Sequence, residues 1–214
     1  FPDAAILSID GVGEYATTWF GYGKGGQIHR LKEFYSPDSL GGLYGAVTEF
    51  LGFEMLDGEF KVMGMAPYGD ANKIDASPLL RWDESGFNVN TRLANCIGWR
   101  RYKRDGRGTY FSPKLVDLWG PARQGDEIDE PYVHIAAAVQ KQLEGVVLAL
   151  TKHYLGEHIA KTKRLCYAGG VALNVKCNQR LIQMMGPGHE LFVQPAASDA
   201  GTALGAATYA AHQF

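Results

Sequence analysis

Three apolar segments of this chain each end in a turn of small and acidic residues. Near the start, residues 4–9 run into Asp10-Gly-Val-Gly, and near the end two further apolar segments precede Gly169-Gly170 and Asp199. Glycine at a strand-to-helix junction lets backbone N–H groups approach phosphate oxygens, and the helix N-terminus adds positive potential. Two aspartates at such junctions can hold a divalent cation beside the phosphate. The pattern predicts an α/β protein that handles a nucleotide.

Composition narrows the class of protein. The 214 residues are 46% hydrophobic and 21% charged, with a formal net charge of −2, which gives no electrostatic reason to expect nucleic acid or an anionic membrane as partner. The basic run at 100–107 is the exception, interpreted as a solvated loop, with substrate or partner contact as the alternative. Three cysteines without a CxxC pair favour a reducing cytoplasm, and no apolar stretch approaches a membrane span of about 20 residues.

Periodicity and turn residues divide the chain into elements. Asp38 or Ser39 is predicted to cap a helix that Gly52 ends. We expect a first lobe at 1–69, an insertion or irregular subdomain at 70–130, and a second lobe at 131–214. The predicted strands are 4–10, 15–20, 27–32, 164–168 and 190–194, with a Gly-rich turn at 21–26, and the predicted helices are 40–51, 59–66, 131–155, 172–185 and 199–212.

The order of these elements indicates an architecture. The first three strands form an antiparallel meander, and the alternation of strand, turn and helix after 164 implies at least two parallel strands. This is the layout of actin-like and sugar-kinase-like ATPase folds. In open α/β sheets, ligands bind beyond the carboxyl ends of the strands, where Asp10, Gly169, Gly170 and Asp199 fall.

Segments spread over nearly the whole chain resemble a known family. They look like the signature motifs of the NodU/CmcH O-carbamoyltransferases, which are related to the tRNA threonylcarbamoyladenosine transferase subunit. The resemblance implies a central fragment of an actin-like domain with ribonuclease-H-like mixed sheets flanked by helices. The matching segments are 7–14, 39–44, 58–69, 169–174 and 198–207.

The resemblance also implies an activity. In the family, a separate YrdC-like domain makes carbamoyl-adenylate from carbamoyl phosphate and ATP. The actin-like domain then passes the carbamoyl group to a hydroxyl of a sugar, antibiotic or nodulation factor. A YrdC-like domain is expected to lie beyond residue 214, so this chain is interpreted as the central part of a longer enzyme.

Site residues follow from the same resemblance. The family site holds a metal, commonly iron, with manganese or magnesium as alternatives, between two histidines of an HxxxH motif and two aspartates. Asp10 and Asp199 match the aspartates, whereas no histidine of this chain reproduces HxxxH, which in the family precedes the strand beginning here at Ala4. We therefore expect the isolated chain to be inactive. The residues matched to nucleotide contact are Gly11, Gly13, Gly169, Gly170 and Asn174, to which the sequence adds Lys61 as a candidate.

Several alternatives stay open. Asp199 could be only a helix cap, Lys61 could cover a helix face with its stem, and Glu14 could be a solvated turn residue or support a metal ligand. The rival functions are a sugar kinase or tRNA threonylcarbamoyl transferase on the same fold, and a nucleotide sensor without turnover. The general base, the acceptor and the oligomeric state are not identified by the sequence.

Overall fold

The computed structural model of the protein describes residues 1–96 and 108–213, and the basic run at 100–107 lies outside them. The strands are β1 (Ala4–Ile9), β2 (Ala16–Lys24), β3 (Gln27–Tyr35), β4 (Leu80–Trp82), β5 (Phe87–Val89), β6 (Arg164–Ala168) and β7 (Glu190–Val193). The helices are α1 (Leu40–Phe50), α2 (Glu59–Met65), α3 (Pro113–Trp119), α4 (Tyr132–Thr162), α5 (Val175–Met185) and α6 (Thr202–Gln213). Short 3₁₀ turns occupy Ala66–Tyr68, Gly170–Leu173 and Asp199–Gly201.

A five-stranded mixed sheet organises the chain, in the order β3-β2-β1-β6-β7. The antiparallel meander of β1, β2 and β3 is confirmed, and so are the parallel pairs β1–β6 and β6–β7. Because β1, β6 and β7 are parallel, their carboxyl ends share one edge of the sheet. The turns that carry Asp10, Gly169 and Asp199 follow these ends. The fold class is therefore a mixed α/β sheet flanked by helices.

The hairpin between β2 and β3 corrects the predicted turn at 21–26. β2 continues through Gly21 and Gly23, and the turn consists only of Gly25 and Gly26, whose φ values are +58° and +79°. Gly21 stays in the strand because its missing side chain leaves room for the Trp19 ring, which lies 2.1 Å from where a Cβ would stand. Two residues with positive φ form the tight turn that joins twisted antiparallel strands.

Helix α1 shows how the sequence fixes a terminus. The Ser39 side chain accepts a hydrogen bond from the Gly42 N–H at 2.9 Å, so Ser39 is the cap. Asp38 instead accepts from the backbone of Val89 at 2.7 Å, which ties α1 to the β4–β5 hairpin. The helix buries Leu40, Leu43, Tyr44, Val47 and Phe50 on the core side.

Helix α4 is longer than predicted and runs through the core. The predicted helix ends at Leu155, but α4 continues through Gly156 to Thr162. Leu155 and Ile159 are buried there, which outweighs the roughly 1 kcal/mol that glycine costs in a helix. By length and composition α4 could also cross a membrane. However, 61% of its most apolar 18-residue stretch is buried inside the structure, as expected for a central core helix.

The described part of 70–130 packs into the same core as the sheet. Its buried side chains, among them Leu80, Phe87 and Trp119, belong to one continuous hydrophobic cluster with β1, α1 and α4. Trp82 donates from its ring nitrogen to Gln142 of α4 at 2.7 Å. The β4–β5 hairpin and α3 therefore brace α1 and α4 from outside the five-stranded sheet.

Candidate functional site

A cleft of about 430 Å³ opens where the turns after β1 and β6 approach the start of α2. Its lining brings together residues from distant parts of the sequence. Of the predicted site residues it contains Asp10, Gly11, Gly170, Asn174 and Asp199. An apolar wall faces them, formed by Leu56, Phe60, Met63, Leu143, Val171 and Leu173. Two further carboxylates, Asp57 and Glu59, complete the acidic part of the lining.

Asp10 is held by backbone groups on both sides. Its N–H donates to Thr17 at 2.8 Å, and its carboxylate accepts from the Gly11 N–H at 2.7 Å and from the Gly170 backbone. Gly41 of α1 comes so close that a Cβ there would stand 2.6 Å from the Gly11 nitrogen. The Asp10 carboxylate is therefore held by backbone N–H groups in a turn that packs closely against α1.

The turn after β6 needs glycine for two different reasons. Gly169 has φ +90°, and a Cβ there would lie 2.2 Å from the Ile9 carbonyl oxygen. A Cβ on Gly170 would stand 3.0 Å from the Asp10 carboxylate. The Gly169 N–H donates to Ala197 at 2.7 Å, which joins this turn to the one that carries Asp199.

Asp199 has a much more open environment. It begins the short 3₁₀ turn before α6 and is exposed to solvent. Gly201 packs tightly here, because a Cβ would stand 2.1 Å from the Ala196 carbonyl oxygen. Asp199 and Asp10 face the same cleft although 189 positions separate them in the chain.

The charge of Asp199 acts on the Asp10 carboxylate. Burial raises the pKa of Asp10 above its ordinary value, the hydrogen bonds from Gly11 and Gly170 lower it, and the negative charge of Asp199 raises it further. A carboxylate whose charge is opposed by burial and by a second carboxylate gains most when a cation enters. The pair therefore has the chemistry of two oxygen ligands for a hard metal ion.

The described residues do not by themselves form a complete metal site. Over residues 1–96 and 108–213, no three His, Cys, Asp or Glu side chains are grouped closely enough to hold an ion. The described histidines also lie elsewhere: His29 and His158 stack on the two sides of the Tyr22 ring, and His134 accepts from the Asp70 N–H at 2.9 Å. Metal binding by Asp10 and Asp199 stays a prediction.

The glycine amides predicted to face a phosphate are used inside the protein. Gly11 and Gly170 donate to Asp10, Gly13 donates to Ala16 at 3.1 Å, and Gly169 donates to Ala197. Among the described residues that line the cleft, none is Lys, Arg or His. An anionic ligand in this cleft would therefore depend on a cation for charge neutralisation.

Three predicted nucleotide contacts, Gly13, Lys61 and Gly169, do not line the cleft. Gly13 is exposed in the turn before β2. The ammonium group of Lys61 lies 5.6 Å from the centre of the Phe53 ring and 5.8 Å from that of Phe60, over the outer face of α2. Their roles in nucleotide binding remain predictions.

The polar floor of the cleft was predicted only at Asn174, and Tyr44 and Gln140 were missed. Tyr44 and Asn174 line the cleft, are almost fully buried, and hydrogen-bond to Gln140 of α4, which also contacts Glu144. Tyr44 and Gln140 occupy apolar faces of helices, so their spacing resembles core packing. Burial of Tyr44 raises the pKa of its hydroxyl strongly, which keeps it protonated.

Comparison with known proteins gives a family match over almost the whole chain. The profile described as "Carbamoyltransferase N-terminus" matches residues 1–208. The chain is 37% identical to nodulation protein NolNO of Sinorhizobium fredii, over 97% of this chain and 28% of that protein. It is 33% identical to nodulation protein NolO of Bradyrhizobium diazoefficiens, over 97% of this chain and 34% of that protein.

An uncharacterized protein of Synechocystis sp., sll1178, is 38% identical over 100% of this chain and 34% of its own length. The chain thus spans about a third of the length of the curated relatives it matches.

Proposed function

Because this chain belongs to the NodU-type carbamoyltransferase family, we propose that the intact protein transfers a carbamoyl group to a hydroxyl of a small molecule. The observation that carries the proposal is the meeting of Asp10 and Asp199 at one cleft, beside the turn that holds Gly170. Two relatives are nodulation proteins, which favours a carbohydrate signal as acceptor. An antibiotic or other secondary metabolite is the second candidate.

We assign the chain to the central part of an actin-like domain. Support comes from the antiparallel meander followed by parallel strands, with the predicted ligand turns on one edge. We also propose a cytoplasmic location, where ATP and carbamoyl phosphate would reach the protein. The carbamoyl donor would be carbamoyl-adenylate, made from these two compounds by a YrdC-like domain outside this chain.

Asp10 and Asp199 would hold a divalent metal, iron by family resemblance, with manganese or magnesium as alternatives. Two histidines ahead of Ala4 would complete the site. When bound, the metal supplies positive charge to phosphate or carbonyl oxygens. The raised pKa of Asp10 supports this assignment, because a nearby cation would remove the cost of its buried charge.

The residues of this chain would mainly orient the reactants. A mixed carbamoyl–phosphate anhydride is already activated, so holding it against the acceptor hydroxyl accounts for much of the rate. Gly11 and Gly170 keep that side of the cleft free of side chains, Asn174 lines its floor, and Phe60 and Leu173 form an apolar wall that excludes water. Gly13, Lys61 and Gly169 remain candidate nucleotide contacts.

Product mass tests the proposal against its rivals. The intact protein is incubated with ATP, carbamoyl phosphate and a panel of amino sugars, chitooligosaccharides and hydroxylated antibiotics. We expect a product heavier than the acceptor by one carbamoyl group. A gain of one phosphoryl group would identify a sugar kinase, and modification of tRNA in place of these acceptors would identify a threonylcarbamoyl transferase. ATP binding without acceptor-dependent consumption of carbamoyl phosphate would identify a nucleotide sensor.

A further inference from the structure

Three elements meet in a hydrogen-bonded network beneath the cleft. The Tyr44 hydroxyl of α1 donates to Gln140 Oε1 of α4 at 2.9 Å. Gln140 and Asn174 pair through two reciprocal amide bonds, Gln140 Nε2 to Asn174 Oδ1 at 3.0 Å and Asn174 Nδ2 to Gln140 Oε1 at 2.9 Å. Gln140 Nε2 also donates to Glu144 at 2.8 Å. Tyr44, Gln140 and Asn174 are each 5–8% exposed, so water cannot replace these partners easily.

The direction of every bond in this network is determined from outside it. The backbone N–H of Cys177 donates to Asn174 Oδ1 at 3.0 Å, so that oxygen must be the acceptor end of the amide. Asn174 Nδ2 must then donate to Gln140 Oε1. The Glu144 carboxylate can only accept, which requires Gln140 Nε2 on its side. Gln140 therefore presents its oxygen to Tyr44. Because that oxygen can only accept, the Tyr44 hydroxyl must donate its proton to Gln140.

From this order of donors and acceptors we infer that Tyr44 is a specificity-determining residue that offers the cleft an acceptor and never a donor. Its proton is donated to Gln140, and the Asn174 side chain also hydrogen-bonds to Tyr44, so what its oxygen still offers a ligand is a remaining lone pair. A ligand N–H or O–H at this point would be bound, and an analogue with a methyl group or a carbonyl there would be rejected. Gln140 is the positioning residue that sets this polarity.

The proposed function supplies a donor of the right kind, and the inference rests on it for the identity of the ligand. A carbamoyl group carries an amine where an acetyl group carries a methyl, with nearly equal shape. Size alone cannot distinguish a carbamoyl from an acetyl group, whereas a buried acceptor that hydrogen-bonds to the NH₂ of the carbamoyl group can. The exocyclic amine of adenine is the second source of the same chemistry, and the experiment separates the two.

The test uses ligand pairs that differ by one donor. Affinities of the intact protein are measured by calorimetry for 5′-O-carbamoyladenosine against 5′-O-acetyladenosine, and for AMP against IMP. Tyr44→Phe removes the acceptor and keeps the ring. Gln140→Met keeps the volume but releases the Tyr44 proton. Tyr154→Phe is the matched control, because the Tyr154 hydroxyl donates to the Ser85 carbonyl on the outer side of α4 and does not line the cleft.

We expect Tyr44→Phe and Gln140→Met to reduce the preference for the carbamoyl nucleoside about three- to tenfold, the effect of one hydrogen bond, and Tyr154→Phe to leave it unchanged. A reduced preference for AMP over IMP would instead identify the adenine amine as the donor. Each preference is a ratio measured on one sample, so partial unfolding of a variant does not affect it. If Tyr44→Phe leaves both ratios as in the wild type, the inference is wrong while the proposed function stands. Absence of binding by the wild type for both pairs would overturn the two together.

Discussion

The two aspartates of the cleft lie on walls of very different construction. Asp10 is half-buried, receives two backbone N–H bonds, and sits where β1, α1 and the turn after β6 pack at close distance. Asp199 is exposed and is carried by one short turn. Behind it, α6 is exposed along its described length from Thr202 to His212. One wall is fixed by the core, and the other depends on few contacts.

Because of this difference, changes near Asp10 and changes at Asp199 should have different effects on the stability of the fold. Close packing around Asp10 means that added side-chain volume there should disturb the fold as well as any ligand. Changes at Asp199 should affect ligand binding and leave the fold intact, since little is buried around it. The following predictions test this contrast, beginning with the largest expected effect.

Gly169→Ala should destabilise the protein by at least about 3 kcal/mol, because φ +90° is strained for alanine and the new Cβ would stand 2.2 Å from a backbone oxygen. Gly205→Ala in α6 is the matched change on the open wall, where a Cβ meets nothing within 4 Å. It should be neutral or stabilising by up to about 1 kcal/mol. Denaturant unfolding of both variants measures the difference, and equal effects would contradict the contrast between the walls.

Asp199→Ala should lower the metal affinity of the intact protein by more than about 100-fold, the upper range for residues that only support a metal ligand. Its free energy of unfolding without metal should stay within about 0.5 kcal/mol of the wild type. Metal content by elemental analysis and denaturant unfolding give the two readouts, with the exposed Asp126→Ala as control. Normal metal content in Asp199→Ala would mean that Asp199 is a helix cap and not a ligand.

The raised pKa of Asp10 predicts a small pH effect on the metal-free protein. The folded state keeps the Asp10 proton at pH values just above the ordinary pKa of 3.8, where the unfolded state has already lost it. Folded protein then binds more protons, so this group's contribution to stability falls as pH rises through that window and stays lower above it. Asp10→Asn should therefore raise stability at neutral pH relative to the wild type while it removes metal binding.

The measurement is unfolding free energy against pH for the wild type and Asp10→Asn, with Asp126→Asn as control. The stabilisation by Asp10→Asn should shrink as the pH falls below the raised pKa, because the wild-type carboxyl is then neutral as well. A destabilising effect of Asp10→Asn at neutral pH would show that the carboxylate charge contributes to folding.

Local signals in the sequence predicted most elements of the fold. Ser39 and Gly52 marked the ends of α1, and outside 70–130 the apolar periods gave most strands and helices to within a few residues. The elements β4, β5 and α3 were not predicted. The errors came from packing: α4 continues past Gly156 because Leu155 and Ile159 bury themselves, and β2 continues through Gly21 because Trp19 fills the space. Local rules treat glycine as a residue that ends a helix or strand, but favourable packing of neighbouring side chains can continue the element through it.

By itself the sequence determined the family and the order of strands and helices outside 70–130, and it predicted the pair Asp10 and Asp199, since these depend on local pattern and recognisable motifs. Only the tertiary structure decided which groups meet. It turned the amides of Gly11 and Gly170 toward Asp10, placed Lys61 over aromatic rings, and joined Tyr44 to Gln140 beneath the cleft. Hydrogen bonds and charges act over a few ångströms, and separation along the chain does not reveal such distances.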